Sequence, residues 1–407
     1  MPSTPLSIGL HDPATYAHGF PYEAFRELRD NEPISHHDHP AWERGYWVAT
    51  RHADVQRVSR DWTAFKNAPH PFLPDTGQFG DDDQGESLLL ISLDPPEHSK
   101  LRKIISNGFT PRRINDLAGH VKARVDSVID SVADRGECDL VKDIALWLPL
   151  HAIADLVGVP EEDRKQVFEW TELTFGFDPS VPPEEQMNAA TSMFAYADAM
   201  CAERRAQPRD DLMTVLLEAE VDGDKLTDMQ LAAFFMLLQN AGSETTRNLI
   251  TTGTLALLQR PDQLECLRAD PSLLPVAIEE LLRHTTPVMS FTRTATRDTE
   301  IAGQEIREGD HVLMVYASAN RDERAFDNPD DIDIAREPND HVAFGAGGPH
   351  FCLGAHLARL ESTLMFEEIL TRFEGLEVTA DPATLPRVYS NLIDGFAEMP
   401  VRWSAVR

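Results

Sequence analysis

The sequence predicts a mainly α fold with small β-sheets, organised as a single domain over residues 1–407. Three observations predict it. Several long segments place apolar residues at the 3.6-residue spacing of an amphipathic helix, the longest over 227–259. Strand-like runs are short, are bounded by Gly or Pro turns, and fall between helical segments rather than in a block of their own. Neither a repeat nor a linker interrupts the chain, so helical and β parts interleave in one unit.

Composition narrows the function classes. Apolar residues make up 42% of the chain, enough for a sizeable core. The 37 basic and 68 acidic residues leave a formal charge of -31, which speaks against nucleic acid or an anionic membrane surface as partner. Cys138, Cys201, Cys266 and Cys352 are widely separated and form no CxxC pair, a usage that suits a reducing cytoplasm. The N-terminal residues show no basic region followed by an apolar run, and no stretch reaches the ~20 apolar residues of a membrane span. The expectation is a cytoplasmic protein without a signal peptide or membrane anchor.

Residues 1–45 read as irregular, with His36, His37 and His39 in an exposed polar loop rather than a metal site. A short strand is expected at Tyr46–Thr50 and a helix at Ala53–Arg60. Residues 67–87, with Pro69, Pro71 and Pro74, read as a long loop of the kind that contacts ligands. In the next segment Asp94 is a candidate N-cap and Pro95 a first helical residue, with His98 and Arg102 four apart on one face. A helix from Thr110-Pro111 to about Gly136 carries Ile114, Leu117, Val121, Val125, Val128 and Val132 on one stripe. Further helices fill 140–220, broken at 177–183, with Phe168, Trp170, Leu173, Phe175 and Phe177 as an apolar cluster.

The helix over 227–259 opens on a capping box, Thr227 to Gln230, and stops at Arg260-Pro261. At 1.5 Å per residue it spans roughly 50 Å and crosses the whole molecule. Phe234, Leu237, Leu238, Ala241, Gly242 and Thr245 share one stripe. Its middle, Ala241 to Thr246, is poor core material. A helix-interior Gly costs about 1 kcal/mol against Ala, and Glu244 and two Thr sit among apolar flanks. Asn240 is more polar than the pattern asks for. A helix over 275–285 then places Glu280 and Arg283 at i, i+3. A strand from Pro287 to Arg293 follows, then a hairpin turning at Ala302-Gly303, a strand at 311–316 and a hairpin tip at 391–396.

The segment His341–Glu361, HVAFGAGGPHFCLGAHLARLE, is the most informative. Gly345, Gly347 and Gly348 permit turns closed to other residues. Cys352 then precedes a helix-forming run, where unpaired N–H groups favour a thiolate. Gly354 leaves room for a flat ligand to approach the sulfur.

This segment resembles the haem-binding loop of the cytochrome P450 family, whose Cys thiolate is the axial iron ligand. Ala241–Thr246 resembles the family's oxygen-activation motif and Glu280–Arg283 its ExxR motif, in the same order along almost the whole chain. Phe344 stands eight residues before Cys352 rather than the usual seven. The extra residue resembles the bacterial branch that oxidises sterol side chains and methyl-branched lipids.

The resemblance implies the triangular-prism P450 fold and a haem-thiolate monooxygenase using haem b (iron protoporphyrin IX) and O2. Cys352 would be the metal ligand. Phe344, Gly354, Ala241 and Gly242 would border the haem, and His98, Arg102, Arg293 and His350 would bind its propionates. Glu244 and Thr245 would be the acid–alcohol pair that supplies protons, and Gly242 would let the helix widen. Arg336 would complete a structural set with Glu280 and Arg283. Leu238, Val288, Met289, Phe291 and Ile393 are candidate substrate contacts. They are apolar and carry no counter-charge, which favours a neutral steroid, terpenoid or branched lipid. The helices over 140–220 would form the roof above the substrate. No G-x-G-x-x-G stands between a strand and a helix, so electrons would come from a separate ferredoxin and ferredoxin reductase. Lys103, Arg112, Arg113 and Arg359 are candidates for its docking patch. The alternatives are a peroxide-driven haem enzyme of the same fold, which lacks the acid–alcohol pair, and a non-catalytic haem sensor.

Overall fold

The computed structural model describes residues 8–69, 71–74, 89–106, 108–175, 180–220 and 223–406. The helices in chain order are α1 (Tyr22–Asn31), α2 (His52–Arg60), α3 (Glu97–Ser106), α4 (Pro111–Asp116), α5 (Ala118–Ala133), α6 (Trp147–Val157) and α7 (Glu161–Phe175). They continue as α8 (Pro183–Ala206), α9 (Leu212–Glu218), α10 (Asp228–Leu258), α11 (Pro261–Ala269), α12 (Leu274–Thr285), α13 (Tyr316–Ala319) and α14 (Ala355–Arg372). The first eight strands are β1 (Ile34–His39), β2 (Trp42–Ala49), β3 (Phe65–Lys66), β4 (Glu137–Asp139), β5 (Ser290–Ala295), β6 (Thr299–Ile301), β7 (Gln304–Ile306) and β8 (His311–Val315).

α10 organises the molecule. Its capping box forms, with Thr227 and Gln230 each accepting from the other's backbone N–H. Both flanks are buried, one among Ile153, Val157 and Met200, the other among Leu267, Ile278 and Phe366. A helix covered on most sides cannot show a single apolar stripe, which is why its polar middle stands out in the sequence. The main sheet runs β1-β2-β8-β5-β3, with β2–β8 parallel and β5–β8 antiparallel. β6 and β7 form the expected hairpin, turning at Ala302 and Gly303, both at positive φ.

The N-terminal region differs from the sequence expectation. Residues read as irregular form α1 and the hairpin β1–β2, registered Ile34 to Ala49 and His37 to Tyr46. α1 buries only Phe25, Leu28 and Arg29, too thin a stripe to stand out. The histidines are not in an exposed loop. His37 and His39 are buried while His36 is exposed, the alternation of a strand. His37 stacks on Tyr46 with ring centres 5.7 Å apart, and His39 lies 4.7 Å from Trp42. A neutral imidazole packs as a flat ring, so polar composition misled.

Three other boundaries moved. α3 starts at Glu97, because the Asp94 carboxylate accepts from the amides of Asn67 and Ala68 and leaves only its carbonyl for the His98 N–H. The helix expected from 110 to 136 is two, α4 and α5, meeting at Leu117. The strand expected from Pro287 begins at Ser290, with Val288 making an isolated bridge to Ile393. Phe177 and most of the loop 67–87 lie outside the described residues.

Candidate active site

The Cys352 loop is held from below by a buried ion cluster. Glu280 and Arg283 on α12 have no solvent exposure and form a two-pronged pair, 2.8 Å at each contact. Arg336 adds a third contact to Glu280 at 3.0 Å. Arg283 also donates to the carbonyls of Asn320, Pro329 and Asp331, and the Glu280 carboxylate accepts from the Asp333 N–H. The cluster thus fixes the irregular stretch 320–339 that leads into the loop. A buried charge pair contributes little net stability, but the loss of one partner is severe.

The loop is pinned at its ends and along its side. The Cys352 N–H donates to the Phe344 carbonyl at 2.8 Å, closing the turn. Arg359 on α14 lies 4.5 Å over the Phe344 ring and is bound by both oxygens of Glu279. The lengthened part docks on α2, with Ser59 Oγ donating to the Gly347 carbonyl. Gly348 has positive φ, and a side chain there would meet the Ser59 carbonyl at 2.4 Å. The extra residue therefore fits a seat built from Ser59 and Arg60.

Cys352 opens into a cavity of about 1510 Å³ counting its mouth. The sulfur is exposed to this cavity although it lies deep in the fold. Burial pushes the thiol above its usual range, against which the Gly354 N–H, Arg102 and Arg359 pull it down. A Cβ on Gly354 would meet nothing, leaving the approach to the sulfur open.

One corner of the cavity gathers its basic side chains. The rings of His98 and His350 lie 4.0 Å apart. Arg102 donates to the Phe351 carbonyl beside Cys352. Arg293, on β5, is 3% exposed and hydrogen-bonds to the Thr292 carbonyl and to Tyr316. Among the described residues no carboxylate lies within ion-pairing distance of Arg102 or Arg293. Both nitrogens of His98 and Nε2 of His350 are buried without a partner. Burial and Arg102 push His98 down to about 4, and burial with His98, Arg293 and Arg102 lowers His350 as well. The corner is a positive, donor-rich seat that calls for anionic oxygens.

α10 forms the opposite wall with Leu238, Ala241, Gly242, Thr245 and Thr246. Thr245 Oγ1 donates to the Ala241 carbonyl at 3.0 Å. Gly242 does not mark a widened helix, since α10 is regular through it. A Cβ there would lie 2.5 Å from Ile153 Cδ1, so the missing side chain admits α6 against α10. Glu244 does not line the cavity. It is 3% exposed and bound by Arg247, which also reaches Glu172 of α7 at 3.4 Å. Burial raises its pKa to about 7, with Arg247 opposing and Glu172 adding.

Among the expected substrate contacts, Leu238, Val288 and Phe291 line the cavity. Met289 is packed in the core with Tyr16, Phe20 and Leu313 instead. Had the strand run from Pro287, Met289 would have shared the face of Phe291; because it starts at Ser290, the alternation is reset. Ile393 is 5% exposed, paired with Val288 behind the lining.

Residues 150–388 match the family model for Cytochrome P450. A steroid C26-monooxygenase of Rhodococcus jostii is 40% identical, the alignment covering 98% of this chain and 86% of that protein. The chain belongs to the cytochrome P450 family. A methyl-branched lipid omega-hydroxylase of Mycobacterium bovis is also 40% identical, over 94% of this chain and 90% of the relative. A Mycobacterium marinum P450 in complex with pseudoionone superposes with TM-score 0.86 at 36% identity, covering 94% of each chain. A Bacillus megaterium P450 in complex with corticosterone gives TM-score 0.84 at 30% identity, over 94% and 98%.

As a P450 this chain is a monooxygenase, and the family implies a haem iron cofactor. The site fits such a group: a thiol faces a roomy cavity, and unpartnered imidazole nitrogens and unpaired arginines wait at one corner for carboxylates. No helix among the described residues is long and apolar enough to cross a membrane.

Three polar residues escaped the sequence reading. Arg247 and Glu172 hold Glu244, and the i, i+3 spacing of Glu244 and Arg247 was a usable signal. Glu361 lines the cavity from α14 and hydrogen-bonds to Thr246 on α10. Its signal is that Leu357, Glu361 and Met365 fall on one helical face, putting an acid on an apolar stripe.

Proposed function

We propose that this chain is a haem b monooxygenase that inserts one atom of O2 into a C–H bond of a steroid, terpenoid or methyl-branched lipid. The observation that carries it is the single cavity joining Cys352 to the basic corner and the α10 wall. The relatives' steroid and branched-lipid activities support the substrate class.

When bound, the haem supplies the oxidising chemistry, with the protein providing its ligand and surroundings. Cys352 Sγ would hold the iron, and the Gly354 N–H, already directed at the sulfur, would tune it. His98, Arg102, Arg293 and His350 would hold the two propionates. Phe344 closes the turn that carries Cys352, and Ala241 and Gly242, which line the cavity from α10, would border the haem. Leu238, Val288 and Phe291 present an apolar surface that excludes water and orients a hydrophobic substrate.

Protons are supplied from α10. Glu244 has a pKa of about 7, so it exchanges a proton near neutral pH. It faces away from the cavity, so it must release Arg247 before it can serve the hydroxyl of Thr245. Electrons come from a ferredoxin and its reductase. Arg359 and Arg113 are engaged by Glu279 and Asp210, which leaves Lys103 and Arg112 as the exposed cations of the docking patch.

The test is the carbon monoxide complex of the reduced protein. The wild type should show the strongly red-shifted Soret band of a thiolate ligand, and Cys352→Ala or Cys352→Ser should lose it. Its survival in those variants would mean that Cys352 is not the ligand.

A further inference from the structure

We infer that the substrate site selects uncharged lipids and rejects those carrying a carboxylate or sulfate, a choice within the proposed substrate class that rests on the haem assignment above. The basic side chains lining the cavity, among the described residues, are His98, Arg102, Arg293 and His350. All four belong to one corner. The His98 and His350 rings pack at a tilt, Arg102 binds the Phe351 carbonyl, and both His350 and Cys352 sense the charge of Arg102. Two propionates at that corner would consume every one of these donors.

Away from it, the wall is Pro71, Phe109, Ile153, Phe234, Leu237 and Phe291, with no cation for a substrate anion. Two acids are buried nearby. Glu361 lines the cavity, and Glu244 lies one helical face behind it. An anionic head group therefore either stays in water, giving up its contacts, or enters without a partner, which is strongly disfavoured. A ketone, alcohol or ester loses far less.

Optical titration of the ferric holoprotein tests this with two matched pairs: a methyl-branched long-chain acid against its methyl ester, and a 3-sulfated steroid against its free 3-alcohol. Equilibrium dialysis measures the same ligands independently of the spectrum. The uncharged member of each pair should bind at least tenfold tighter at pH 8. A greasier ligand alone does not account for such a preference if Phe291→Lys, or Val288→Lys should the first not fold, lowers the ester-to-acid ratio at least tenfold. An unchanged ratio overturns the inference. So does a charged ligand that binds the wild type as tightly as its neutral partner, or failure of all four to bind. The carbon monoxide band of the same preparation separates the two readings. If present, only the substrate choice has failed; if absent, the haem-thiolate reading fails and takes this inference with it.

Discussion

Glu361 offers the sharpest test of the physical picture. It is 1% exposed, its Oε1 has no partner, and its hydrogen bond is to Thr246, with no cation among the described residues paired to it. Burial raises its pKa from 4.5 to about 8, against a small lowering by Thr246. The gap, 8 − 4.5, is about 3.5, which at 1.36 kcal/mol for each pH unit sets a ceiling of about 5 kcal/mol. Below pH 4.5 both folded and unfolded states hold the proton, and nothing is lost. Between 4.5 and 8 the unfolded chain releases it while the folded chain keeps it, so stability falls as pH rises. Above 8 the folded state ionises too and the full penalty is present. Glu361→Gln keeps the shape and the polar contact to Thr246 but has no proton to lose. The variant should therefore gain on the wild type from pH 5 to pH 8, by about 3–4 kcal/mol. Urea unfolding of the two holoproteins at pH 5, 6, 7 and 8 measures it. A difference that stays flat within about 1 kcal/mol over that range, or moves the other way, would refute the claim that Glu361 is buried neutral.

Glu280→Gln should lower stability by about 3–5 kcal/mol, since Arg283 and Arg336 are left without their charge partner; urea unfolding and the fraction of protein retaining haem report it. Gly242→Ala puts a Cβ against Ile153 Cδ1, so it should cost about 1–3 kcal/mol. Adding Ile153→Val to that variant should recover part of the loss, and absence of recovery would show that the contact is not the cause. Thr245→Ala should bind substrate normally yet divert reducing equivalents to hydrogen peroxide, so peroxide released per NADPH consumed should rise severalfold; fully coupled turnover would remove Thr245 from proton delivery. Glu244 has a pKa raised to about 7 by burial, so coupled turnover in the wild type should fall as pH drops below 7 if its ionised form must accept protons from solvent. Glu244→Gln should flatten that limb of the pH profile.

The sequence by itself determined the mainly α class, the extent of α10 and its capping box, the short strands and the Cys352 loop. Those features are local. A capping box, a Gly-rich turn and a polar interruption of an apolar helix are written in neighbouring residues, and the distinctive composition of the Cys segment marks its family. It also brought forward the residues that meet at the cavity from distant parts of the chain, such as His98, Arg293 and His350, because each sits in a recognisable motif.

Direction and burial were decided only by the tertiary structure. Whether Glu244 faces the cavity or Arg247 depends on which side of α10 meets α7, and periodicity says little for a helix covered on both flanks. Met289 left the cavity because a strand began three residues late, and a shift of that kind reverses faces. His37 and His39 of β1 became buried against aromatic rings because β2 supplied Tyr46 and Trp42 as partners. Glu361 reads as a surface acid until α14 packs on α10 and leaves it beside Thr246. In each case the residue type was plain in the sequence, while its environment, and with it its charge and reach, came from elements far away in the chain.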